Sequence, residues 1–141
     1  MIQRIQSLWL IIVAITAFAT FKLVLFEGQL ANGTILPFHF AESLILSLSI
    51  IGIGLLALIC LFLFKNRKLQ FKLSVIGLIL SVGFLFLEYL KVEDFKRDKG
   101  VLSGSYQLGA LLPVLMIIFY FLAARGVYRD EKLIKSMDRL R

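Results

Sequence analysis

The sequence predicts an all-α integral membrane protein, a four-helix bundle with both termini on one side of the bilayer. Three observations carry that reading: a 60% hydrophobic composition in 141 residues, four apolar runs of membrane length, and bases gathered at alternate ends of those runs. Mean hydropathy is +0.91, and the apolar share exceeds the roughly 45–50% of soluble domains. One domain is expected at this length, and its interior is too small to hide so many Leu, Ile and Phe side chains from water. The surplus faces lipid.

The runs cover about residues 7–26, 44–64, 73–90 and 106–124, each near the ~20 residues a helix needs to cross the hydrocarbon core. The second, LILSLSIIGIGLLALICLFLF, carries no charge. A soluble helix would show a polar stripe there. Bilayer-spanning segments must also satisfy their own backbone groups, which an α-helix does. Ala17-Phe18-Ala19 has the form of a signal-peptide cleavage site, but the apolar run continues through LVLF beyond it. The segment is therefore expected to stay as a span.

Orientation follows from the bases. Arg4, the KNRKLQFK turn and the tail put eleven Lys and Arg on one side, against five on the other. The positive-inside bias then places both termini in the cytoplasm. Trp9 and Tyr128 fall at the inner interface, Tyr89 and Tyr106 at the outer one. Topology accounts for the +7 net charge, and no nucleic-acid partner is expected.

In the first outer loop, Asn32-Gly33 is a two-residue hairpin signal, and Pro37 restricts a following strand to an edge or an end. A short two-stranded flap and an irregular loop are both compatible with this stretch. Asn32-Gly33-Thr34 also matches a glycosylation acceptor and reads as turn chemistry. The second outer loop, KVEDFKRDKGVLSGS, reads as a solvated connection.

Little in the chain points to catalysis, and no enzyme activity, cofactor or metal is expected. His39 is the only histidine, with Glu42 three residues on, whereas a zinc site normally takes three or four protein ligands. Cys60, the single cysteine, reads as a packing residue, as does the Gly52-Ile53-Gly54 pair. Lys22 and Glu88 are the polar residues of interest. Each lies inside an apolar run at matching depth, where a lone charge is expensive, so a contact between them is expected. They form either a structural latch, the favoured reading, or part of an ion path. On the second reading the protein is a small transporter or channel component. Pro113 is expected to kink the fourth span through its clash with the Gly109 carbonyl.

The tail, RDEKLIKSMDRLR, reads as a basic amphipathic helix. Leu133, Ile134, Met137 and Leu140 share one face at helical spacing, with Arg129, Lys135 and Arg139 around them. Such a helix can lie at the inner interface on anionic headgroups or dock a membrane or cytoplasmic protein partner. Anchoring is the favoured reading, and the lipid bilayer the expected partner.

The opening MIQRIQSLW and the closing DEKLIKSMDRLR resemble the uncharacterised four-span bacterial membrane family known as domain of unknown function 4293. The similarity runs the whole length, although the family pattern has a small residue where this chain has Met137. The resemblance implies a Gram-negative inner membrane and no particular activity. Taken together, these readings point to a non-enzymatic accessory, scaffold or assembly factor.

Overall fold

Four long helices dominate the structure, a computed structural model that describes residues 2–63 and 66–138, with side chains for 6–63 and 66–133. In chain order they are α1 (Ile2–Thr20), α2 (Leu44–Phe62), α3 (Arg67–Lys99) and α4 (Leu112–Asp138). Three strands join them at one end: β1 (Val24–Gln29), β2 (Ile35–His39) and β3 (Ser103–Tyr106). Short 3-10 turns precede α2 and α4 at Phe40–Glu42 and Leu108–Leu111.

Among the described residues, three helices are long and apolar enough to cross a membrane: Leu44–Phe62, Arg67–Lys99 and Leu108–Leu133. Gln6–Thr20 is a shorter apolar helix. On α2 the buried residues Leu46, Ile50, Ile53, Ala57 and Cys60 follow a three-to-four spacing. Its opposite side exposes Leu48, Leu55 and Ile59. Apolar residues all round a helix fit lipid as its solvent. Packing, not water exclusion, then holds the helices together. Tyr120 of α4 lies over Gly77 of α3, where any Cβ would collide with the ring. Its hydroxyl donates to Ile53 O of α2 at 2.7 Å, so one side chain ties three helices.

The first apolar run, residues 7–26, is not helical throughout. Helix α1 stops at Thr20, where the Phe21, Lys22 and Leu23 amides bond three residues back, the tightened last turn of a helix end. Val24 onward then alternates into a sheet.

That sheet corrects the all-α expectation. Its order is β2-β1-β3, antiparallel throughout. The hairpin of β1 and β2 forms, with Pro37 on an edge strand as anticipated. Its turn is longer than two residues. Leu30 N donates to Thr34 O at 3.0 Å, and Gly33 alone has positive φ, at 79°. The Asn32 side chain instead accepts from Thr34 Oγ1 at 2.7 Å.

The second outer loop is also corrected. Helix α3 runs on to Lys99 and ends where Gly100 takes φ 63° and donates to Lys96 O, a left-handed cap. Residues Ser103–Tyr106 then add β3 to the sheet. At 33 residues, α3 is roughly 50 Å long, well beyond a hydrocarbon core of about 30 Å. Its last turns form a post on which the sheet sits. Phe95 stacks on Phe38 at 4.7 Å and meets Phe26 edge-on at 6.5 Å. Lys96 Nζ stands 5.1 Å from the Phe26 ring and 2.7 Å from Glu93 Oε1.

The expected kink at Pro113 does not occur. Helix α4 begins at Leu112, so Pro113 lies in the first turn, where a missing N–H leaves no carbonyl unsatisfied. The tail is helical as far as residue 138, and residues 139–141 lie outside the described ones. It continues α4 without a break to Asp138.

Candidate functional site

Glu88 is buried on the inward face of α3, at 3% exposure, and its Oε2 has no hydrogen-bond partner. Lys22 lies past the end of α1, exposed in the turn to β1. No ion pair joins the two: those among the described residues are His39–Glu42, Lys91–Asp94 and Lys96–Glu93. Equal depth requires α1 to stay helical through Lys22, and α1 ends at Thr20. Early termination turns that side chain out of the bundle.

Glu88 belongs to a longer polar seam. The inward line of α3 reads Gln70, Ser74, Gly77, Ser81, Phe84, Glu88, Val92. Gln70 Nε2 donates to Cys60 O at 3.0 Å and Ser81 Oγ to Gly77 O at 2.8 Å. Ser74 Oγ is fully buried beside the Cys60 thiol. Small residues at this seam let the helices approach closely. Leu10, Phe84, Met116 and Tyr120, all under 2% exposed, pack the bundle among the described residues.

Sequence reasoning missed a second polar contact. Gln6 Nε2 of α1 donates to Asp130 Oδ2 of α4 at 2.5 Å, with both residues 6% exposed. This bond joins the two terminal signatures of the chain. A signal was present: Gln6 precedes buried Leu10 and Val13 by four and seven residues, and Asp130 follows buried Val127 and Ala123 by three and seven. Each is a polar residue on a core stripe. Gly126 makes room, since a Cβ there would lie 2.7 Å from Gln6 Cγ.

Of the predicted tail face, Leu133 is 53% exposed and Arg129 is exposed. The side chains of Ile134, Lys135 and Met137 lie outside the described ones, and Arg139 and Leu140 lie outside the described residues altogether. His39 and Glu42 do meet: the Glu42 carboxylate accepts from the His39 amide at 3.1 Å and sits 3.2 Å from its ring Nδ1. The pair caps the 3-10 turn. Among the described residues, no group of three or more His, Cys, Asp or Glu is placed to hold a metal.

Two of the concavities on the surface are lined by described residues alone. One, about 550 Å³, lies between α2 and α3 and is lined by Ser49, Gly52, Ile79, Gly83 and Phe86 among others. Gly54 packs on Ala17, but a Cβ at Gly52 or Gly83 would meet nothing within 4 Å. Gly52 therefore serves no packing contact inside the chain. The other concavity, about 320 Å³, lies on the outer face of the sheet among Glu27, Gln29, Ser103 and Ser105. Gln107 Nε2 donates to Glu27 Oε2 there at 2.8 Å. Neither concavity reaches Glu88 or Lys22.

Comparison with known proteins gives one match. The family described as Domain of unknown function (DUF4293) aligns to residues 2–140. No curated protein and no solved structure matches the chain.

Proposed function

The chain belongs to the DUF4293 family, and from that premise we propose that it is a non-enzymatic accessory, scaffold or assembly factor of a bacterial inner membrane. In this reading all four helices cross the bilayer and both termini are cytoplasmic. The supporting observation is the large side chains buried between the helices, Tyr120 seated on Gly77 above all. A packed interior suits a protein that presents surfaces. The sheet carried above the membrane and the extension of α4 on the opposite side are the surfaces it presents. Affinity purification of the full chain in mild detergent, read by mass spectrometry, tests this. Recovery of a stoichiometric membrane partner is expected. A chain recovered alone after crosslinking in cells contradicts it.

One observation favours a second reading as a transporter or channel component. Glu88 is a buried acid whose Oε2 lacks a partner, and intramembrane ionisable groups often mark ion pathways. Proteoliposomes carrying the chain would then conduct protons or cations, and Glu88→Gln would abolish the flux. On the scaffold reading, both variants are as tight as empty vesicles.

A further inference from the structure

We propose that the seam between the start of α3 and the α4 extension binds the phosphate headgroup of an anionic phospholipid. The inference rests on the reading that these helices cross a bilayer, and it adds a ligand to that reading. Phe71 and Tyr128 meet there with ring centroids 5.9 Å apart, which brings the two helices into register. Lys68 and Lys72 flank Phe71, three residues before and one after. Arg125 and Lys132 flank Tyr128, three before and four after, on one stripe of the helix. All four bases are exposed, and no ion pair engages any of them among the described residues.

Neighbouring acids do not neutralise this cluster. Asp130 is turned inward on Gln6, and Glu131 is already engaged in another interaction. The first turn of α3 contains no acid, although acids are what a helix N-terminus favours. It carries Arg67 and Lys68 instead, so an anion seated beside it would offset repulsion among its charges. Charge complementarity therefore calls for an anion.

The same stripes show which anion. Toward the membrane, α4 continues from Arg125 to exposed Phe121, and α3 from Lys68 and Phe71 to Val75 and exposed Val82. Cationic below and apolar above is the outline of a lipid, with headgroup on the bases and acyl chain along the helices. A free phosphate would leave the upper part unfilled, and a nucleic acid would meet grease. Basic pockets between membrane helices are recognised headgroup sites.

The test uses the full chain in mild detergent, titrated with phosphatidylglycerol, cardiolipin or phosphatidylethanolamine and read by native mass spectrometry. The anionic lipids are expected to stay bound where phosphatidylethanolamine does not. Each cation near a membrane surface contributes about fivefold in affinity, so replacing Lys68, Arg125 and Lys132 by Gln weakens binding on the order of a hundredfold. Replacing exposed Lys22, Arg97 and Lys99 by Gln removes the same charge at the far end and changes binding little. Equal weakening in both triple variants overturns the proposal, as does equal retention of phosphatidylethanolamine. Displacement of bound lipid by inorganic phosphate at matched concentration shows a simple anion site and also overturns it. If the triple variant loses its melting transition, Arg125→Gln alone decides: about fivefold weaker binding supports the site, and unchanged binding refutes it. A chain that fractionates away from membranes refutes the underlying reading instead, before any lipid is added.

Discussion

Gln6 and Asp130 show how a single bond can explain two sequence signatures. Both side chains are buried, and a buried polar group left without its partner costs about 1–3 kcal/mol. Gln6→Ala should therefore lower stability by about that much, because Asp130 loses the amide that faces it. Replacing both by Leu should recover most of the loss, since neither polar group remains to be satisfied. Thermal melting in detergent reads both results. The glycines give a sharper contrast. Gly77→Ala drives a methyl into the Tyr120 ring and threatens the hydrogen bond to Ile53 O, so destabilisation of about 1–3 kcal/mol is expected from overpacking. Gly83→Ala meets open space and should stabilise by roughly 0.5–1 kcal/mol through helix propensity. Equal effects at the two positions would contradict this account of the packing.

Among the elements, α2 was fully legible, because an uncharged apolar stretch of that length has one physical solution. The outer end of α3 was not read, although its cues were present. Val92 and Phe95 continue the inward stripe from Glu88, and Lys91–Asp94 and Glu93–Lys96 are pairs at the helical spacing of three. Charge density masked them as a solvated loop. Strand β3, Ser-Gly-Ser-Tyr, is exposed throughout and has almost no local signal. Its strand character comes from pairing with β1, where Gly104 admits the Phe26 ring and the Glu27 carbonyl. The helix end at Thr20 escapes the sequence for a related reason: apolar composition cannot distinguish the last turns of a helix from a buried strand. The sheet depends on its seat on α3. Phe95 is half-buried, so Phe95→Ala should cost about 1–3 kcal/mol, less than a fully buried Phe, and speed hydrogen exchange at the amides of Phe26 and Gly28 while leaving α2 protected. Uniform exchange across the protein would instead mean that the sheet and bundle unfold as one unit.

At the scale of the whole molecule, the two longest helices overshoot in opposite directions. Helix α3 carries the sheet beyond one end of the bundle, and α4 carries the basic extension beyond the other. The arrangement gives the protein a polar cap, an apolar waist and a cationic foot, the layering that a bilayer imposes. The sequence reading of the candidate sites fared less well than the reading of the waist. Composition reveals where lipid must be, whereas the Gln6–Asp130 bond and the Phe71–Tyr128 seam depend on which helix faces come together in three dimensions.

The central claim, that these helices cross a bilayer with the sheet and the start of α3 on opposite sides, has a direct measurement. Cys60 is the only cysteine and is buried, so Cys60→Ala provides a clean background. A cysteine placed at Ser103 or at Lys68 is then labelled with a membrane-impermeant maleimide in cells whose inner membrane is intact. The account predicts labelling of Ser103→Cys at once and of Lys68→Cys only after that membrane is permeabilised. Labelling of both positions in intact cells, or recovery of the chain in the soluble fraction, would contradict it.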